Sequence, residues 1–221
     1  MAGDQHIGTT EAPVGATSGS RAGQPAEPTV RDISRIDPGT GARSDPRIRG
    51  RSGGRTDDKA PGEAVNWRWR AGPVEPGPAV VFDIDGVLSD AAGRQHFLEW
   101  HRRDWDAFFD ACGEDPLVED VARLLGLLEP ELSIVLLTGR PIRVMPQTLA
   151  WLAHNALRWD LLVMRDSGNY AQVTSFKKKV VTELRAYGFD LRLAFEDDPR
   201  NRDMFRDEGV PCIYIHSGYY D

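Results

Sequence analysis

Cysteine is almost missing from this chain: Cys112 and Cys212 are the only two among 221 residues. Two thiols so far apart have no metal-ligand spacing, and free thiols are the simplest reading. Long apolar runs are missing too, so no segment reaches the ~20 residues that span a bilayer. The opening Met1-Ala2-Gly3-Asp4 lacks the basic and then apolar order of a secretory signal. The expectation is a cytoplasmic protein with free thiols and no membrane contact. No Gly-x4-Gly-Lys-Ser/Thr loop occurs, so a kinase activity is not expected. His96, His101, His154 and His216 read as surface or packing residues rather than ligands.

Positive charge is scarce where the apolar residues are. The formal net charge is −7 overall, while residues 1–77 hold 11 Lys+Arg and 10 Asp+Glu, leaving −8 on residues 78–221. An acidic domain does not draw in nucleic acid by its overall field, so an anionic substrate must meet local positive charge. Residues 1–77 are nearly empty of Leu, Phe and Ile and rich in Gly, Pro, Ser, Thr and Arg. Such a segment cannot bury enough apolar surface to offset chain entropy and reads as a disordered N-terminal tail. Within it, Arg43 to Arg55 holds five arginines against one aspartate, and Asn66-Trp67-Arg68-Trp69-Arg70 interleaves rings with cations. Two readings stand: a nucleic-acid-touching arm using phosphate contacts and stacking, or a solvated tail whose tryptophans dock on the domain.

From residue 78 to 221 strand-like and helix-like segments alternate. Val80–Phe82, Ile134–Leu137, Leu161–Met164, Leu191–Phe195 and Cys212–Ile215 read as five buried strands. Asp115-Pro116 looks like an N-cap with proline at the first helical position, leading Leu117, Val121, Leu124, Leu125 and Leu128 along one face. Pro146 opens a helix bearing Leu149, Leu152 and Ala156. Phe176, Val180, Leu184 and Tyr187 stripe another, closed by Gly188. Asp198-Pro199 starts a fourth, ended by Gly209. The expected fold is α/β: a mostly parallel five-stranded sheet with helices on both faces and ligands at the carboxyl ends of the strands.

Reactive residue types follow those strands. Phe82-Asp83-Ile84-Asp85-Gly86 brings two carboxylates to one strand end, a like-charge arrangement that asks for a cation; an Asx-type turn is the plainer reading. Thr138-Gly139-Arg140 offers a hydroxyl and free backbone N–H groups to a phosphoryl oxygen, or is an ordinary strand-to-helix turn. Lys177 stands in the first turn of its helix beside Lys178 and Lys179, either reaching a pocket or joining a solvated basic face. Glu196-Asp197-Asp198 could complete an oxygen-ligand site for a hard cation, although Asp198 is equally a good N-cap.

In this order and placement, the four signatures make residues 79–221 resemble the haloacid dehalogenase (HAD) superfamily. Arg103-Asp104-Trp105-Asp106-Ala107-Phe108-Phe109, Asp198 to Phe205 and Gly209-Val210-Pro211-Cys212 with Ser217-Gly218 are similar to the 3′-phosphatase domain of phage and bacterial polynucleotide kinases. The resemblance implies a Mg²⁺-dependent phosphomonoesterase acting on 3′-phosphates of polynucleotide ends in nucleic-acid repair. Asp83 would be the nucleophile and form an aspartyl-phosphate, and Asp85 the general acid and base. Thr138, Gly139, Lys177, Arg94 and Arg140 would hold the phosphate. Asp83, the Asp85 carbonyl and Asp197 or Asp198 would hold the metal. Val173 replaces the acidic residue usual four positions before the motif lysine, and Asn169 and Ala171 stand where Asp and Arg are common.

The 53 residues from Asp85 to Thr138 leave no room for a large cap, so the mouth is expected to be open and suited to bulky phosphoesters. A nucleotide or small-molecule phosphatase fits the acidic charge. A non-catalytic nucleic-acid-binding module, with the tail supplying function, is the reading of a different class.

Overall fold

The computed structural model describes residues 65–99, 103–166 and 172–220. The expected arginine-rich tail, up to residue 64, lies outside them. The strands are β1 (Trp67–Trp69), β2 (Pro78–Phe82), β3 (Ser133–Pro141), β4 (Leu161–Arg165), β5 (Asp190–Glu196) and β6 (Cys212–Tyr214). The helices are α1 (Trp105–Asp110), α2 (Glu119–Leu127), α3 (Met145–His154), α4 (Val173–Tyr187) and α5 (Pro199–Asp207), with a 3-10 helix over Ala91–Leu98.

The sheet has six strands in the order β1-β4-β3-β2-β5-β6, one more than the five read from the sequence. The five expected strands are all parallel to one another. The sixth comes from the segment assigned to the tail: Trp67–Trp69 pairs antiparallel with β4, Trp67 opposite Val163. Three residues carry too little periodicity to read as a strand. The indoles hold them there, because Trp67 and Trp69 pack with Tyr187, and Trp69 also with Phe189. The tryptophans therefore dock on the domain.

The period-2 alternation of the strands divides the core into two layers. Val80, Phe82, Ile134, Leu136, Leu162, Met164 and Phe195 face Phe108, Phe109, Val121, Leu125, Trp151 and Leu152. Ala79, Val81, Val135, Leu137, Leu161, Val163 and Ala194 face Phe176, Val180, Leu184, Met204 and Phe205. Thus α1–α3 cover one face and α4–α5 the other. The stretch between β2 and β3 places Phe108, Phe109, Cys112, Val121 and Leu125 in the main core, although Trp105, Leu124 and Leu127 stay exposed.

The helix ends need two corrections. Asp115-Pro116 does not start α2, which begins at Glu119 behind an N-cap residue, Val118, that makes no side-chain cap bond. The Asp115 carboxylate is taken by buried arginines instead. Ala156 lies past the end of α3 with φ +49, off the helical face assigned to it. Two further readings shift: Lys177 lies in the second turn of α4, which begins at Val173, and Leu117 and Leu128 fall outside α2. Asp198 accepts from Arg200 N at the start of α5, and Gly188, at φ +111, closes α4 where an L side chain would be strained.

Candidate active site

Three parallel strands end together, and the chemistry sits at their carboxyl ends. Just past β2, Asp83 N donates to Phe195 O on β5 at 3.0 Å, which fixes the backbone of the two strand ends against each other. One oxygen of Asp83 accepts from Ile84 N at 2.8 Å; the other lies 2.8 Å from Lys177 Nζ. Lys177 is 1 % exposed and also pairs with Glu196 at the end of β5. Oxygens of Asp83, Glu196 and Asp197 lie within 4.8 Å of one another.

Burial raises the carboxyls of Asp83 and Glu196, with the nearby Lys177 ammonium opposing the shift in both. Asp197 is pushed up to about 7, first by burial and then by the Asp83 charge. For Lys177, burial is outweighed by the two carboxylates, so its ammonium stays charged. The sequence-predicted Asp83, Lys177 and Asp197 therefore meet. Asp198 does not join them: its carboxylate caps α5 and takes three side-chain hydrogen bonds from the exposed Arg200, the shortest at 2.7 Å. Glu196, part of the acidic cluster read from the sequence but left out of the metal ligands that the resemblance implies, stands with Asp83 and Asp197.

Asp85 turns away from this trio. Gly86, at φ +77, folds the chain back so that Gly86 N reaches Ser89 O at 2.8 Å. A Cβ at Gly86 would fall on the Asp197 carboxylate, so only glycine serves. The Asp85 carboxylate accepts from Arg140 Nε at 2.9 Å and Nη2 at 2.6 Å, and from Arg94 Nη2. Burial acts to raise Asp85, but the Arg140 and Arg94 guanidiniums prevail and hold it below the usual carboxylate range.

The two arginines are paired inside the protein. Arg94 and Arg140 are 2 % and 0 % exposed, and their hydrogen bonds go to protein groups rather than toward an open phosphate site. Both also pair with Asp115, Arg94 at 2.8 Å and Arg140 at 3.3 Å. Ser89 bridges them: it donates to Asp115 and accepts from Arg140 at 3.0 Å. Arg140 further donates to Thr148 at 3.3 Å, and Arg94 to Phe108 O at 3.2 Å while lying 4.1 Å from the Phe108 ring centroid. Trp151 Nε1 donates to Asp115 O at 2.7 Å, anchoring that backbone.

Asp115 is thus the residue sequence reading missed, because Asp-Pro before an apolar helix looks the same whether the carboxylate caps a helix or enters a core. Thr138 is buried at the end of the regular part of β3 and accepts from Arg140 N at 3.1 Å. Gly139 has its face against Val173, where an added Cβ would come within 3.3 Å.

Five carboxylates (Asp83, Asp85, Asp115, Glu196, Asp197) face three fixed cations (Arg94, Arg140, Lys177), leaving two negative charges if all are ionised. Their excess is concentrated on the Asp83–Glu196–Asp197 side. Hard oxygen donors with that excess fit a divalent cation of the Mg²⁺ kind. A buried nucleophile-type carboxylate, a buried ammonium and a second carboxylate oriented by arginines suit transfer of a phosphoryl group.

Comparison with known proteins agrees with this chemistry. A chain in the structure of a Pnkp1/Rnl/Hen1 complex is similar at 26 % identity and a TM-score of 0.55, over 65 % of this chain and 47 % of that one. A chain of a Pnkp1/Rnl/Hen1 RNA repair complex is similar in fold at 24 % identity and a TM-score of 0.55, over 69 % and 47 %. This chain therefore spans about half the length of those relatives. A putative phosphoglycolate phosphatase from Lactobacillus plantarum matches at 14 % identity and a TM-score of 0.44, over 63 % and 86 %. The fold is that of the HAD-type hydrolases. Residues 77–220 match the family described as the polynucleotide kinase PNKP phosphatase domain, and the chain belongs to that family.

Proposed function

We propose that this HAD-type phosphatase domain is a Mg²⁺-dependent phosphomonoesterase that removes 3′-phosphates from polynucleotide ends. The observation that carries the reading is the division of labour at the strand ends. Asp83 sits beside Lys177, Glu196 and Asp197, whereas Asp85 is drawn aside and oriented by two buried arginines. Asp83, Glu196 and Asp197 supply the oxygens that would hold the ion, with Asp198 left to the helix cap. Bound there, Mg²⁺ would neutralise charge on the phosphoryl oxygens.

Asp83 attacks phosphorus as the ester oxygen leaves. The new Asp83 O–P bond replaces the P–O bond to the substrate, and the departing alkoxide takes its proton through Asp85, which the two guanidiniums hold ionised and which must first take that proton from solvent. In the second half, Asp85 takes a proton from water, which attacks phosphorus and frees Asp83 and inorganic phosphate. The Lys177 ammonium and the Thr138 hydroxyl supply positive potential and a hydrogen bond to the phosphoryl oxygens. Arg94 and Arg140 act through Asp85, holding its carboxylate in place.

Two features favour a macromolecular substrate: the domain family, and the packing of the β2–β3 stretch into the main core. The −8 balance of residues 78–221 favours a nucleotide or small phosphomonoester instead. Phosphate release from a 3′-phosphorylated oligonucleotide and from mononucleotides, with and without Mg²⁺, separates the two. The expected result is Mg²⁺-dependent release from the oligonucleotide that Asp83→Asn abolishes. Full activity of Asp83→Asn would overturn the nucleophile assignment, and release from mononucleotides alone would overturn the substrate class.

A further inference from the structure

The segment after β6 runs along the mouth of the site and is tied to both sides of it. Ile215 N donates to Glu196 O at 2.8 Å, and Ser217 hydrogen-bonds the Asp197 carboxylate. Tyr219 Oη then donates to Asp90 at 2.5 Å. Asp90 caps the 3-10 helix that carries Arg94, so the strap joins the β5 side of the mouth to the β2 side.

Tyr219 is half-buried and packs against the core, which accounts for it. Tyr220 is different. It is 45 % exposed, and its ring lies 5.7 Å from the Arg200 guanidinium. Arg200 is itself paired with Asp198 by three side-chain hydrogen bonds, and Asp198 follows Asp197 of the acidic trio. The strap anchors and the paired arginine together present an aromatic face to solvent beside the candidate site. Burial and the carboxylates of Asp197, Asp198, Asp83 and Glu196 raise the Tyr220 phenol, so the ring stays neutral at working pH.

An exposed ring beside a cation is what a nucleobase uses to stack. It gives nothing to a bare phosphate. We infer that Tyr220, backed by Arg200, is the stacking platform for the nucleobase next to the scissile phosphate. This rests on the phosphomonoesterase reading and deepens it: the site would recognise a nucleoside phosphate and not merely a phosphoester. Stacking on an aromatic side chain stabilises a base by about 1–3 kcal/mol, or roughly 5- to 150-fold in affinity.

The test compares kcat/KM on two 3′-phosphorylated oligonucleotides, one with a normal terminal nucleoside and one with an abasic terminal sugar. The same comparison is made between a nucleoside 3′-monophosphate and ribose phosphate. The full chain is expected to favour the base-bearing member by about 5-fold or more. Tyr220→Phe keeps the ratio. Tyr220→Ala collapses it toward one, mainly through KM on the base-bearing member.

A ratio near one in the unmodified chain, or one unchanged by Tyr220→Ala, overturns the platform. So does an equal loss on both members, which would mark a merely structural strap. Turnover of the nucleoside pair without the oligonucleotides overturns the polynucleotide reading, while the ratio still decides the platform. Turnover of neither pair overturns both.

Discussion

At the scale of single residues, the site turns on which carboxylates are paired and which are left crowded. Asp85 and Asp115 are each met by both Arg94 and Arg140, in a cluster almost closed to water. Removing one charge from such a buried set leaves the opposite charges without compensation, a larger effect than the pair contributes when intact. Asp115→Asn keeps the shape of the side chain but leaves two buried guanidiniums to a single carboxylate. The expected stability loss is about 3–5 kcal/mol, read from urea denaturation. A loss below about 1 kcal/mol would show that the cluster is wet and loosely held. Asp83, Glu196 and Asp197 have only Lys177 among them, and this imbalance suits a cation.

At the scale of elements, β1 shows how three residues become a strand. Its backbone pairs with β4, but its hold is aromatic: Trp67 is 8 % exposed and lies 5.9 Å from the Tyr187 ring centroid. Trp→Ala changes at buried sites cost about 3–5 kcal/mol, and Trp67→Ala should fall in that range by chemical denaturation. A change within about 0.5 kcal/mol would mean that β1 frays without consequence, and that the boundary at residue 77 read from composition is the working one.

At the scale of the whole molecule, the ends of β2, β3 and β5 form one rim, so ion binding there couples to the stability of the sheet. A ligand that binds only the folded state stabilises it by about 2.7 kcal/mol at a hundredfold excess over Kd. For a domain of this size that is on the order of 5–10 °C in Tm. Saturating Mg²⁺ should raise Tm by several degrees in thermal melts, and EDTA should remove the gain. Asp197→Asn, which relieves the crowding and deletes a ligand, should melt no lower without the ion and respond less to it. An unmodified chain whose Tm ignores Mg²⁺ would argue against the assigned ligands.

Much of this was legible before any coordinates. β-branched runs between helical stripes implied the parallel sheet, and Asp83, Thr138 and Glu196 could be placed at strand ends because residues that follow a buried strand must emerge at its rim. Local sequence could not say which way an acidic side chain turns. Asp115 and Asp198 each precede a proline and look alike, yet Asp198 caps α5 while Asp115 enters the core. Arg94 and Arg140 looked like phosphate-facing groups, yet they are buried on Asp85 and Asp115. The sequence by itself determined the layers, the strand ends and the kinds of groups at the rim, because those follow from periodicity and burial along one element. Only the tertiary structure decided the partners, because an ion pair between residues 21 or 55 positions apart depends on how separate elements pack.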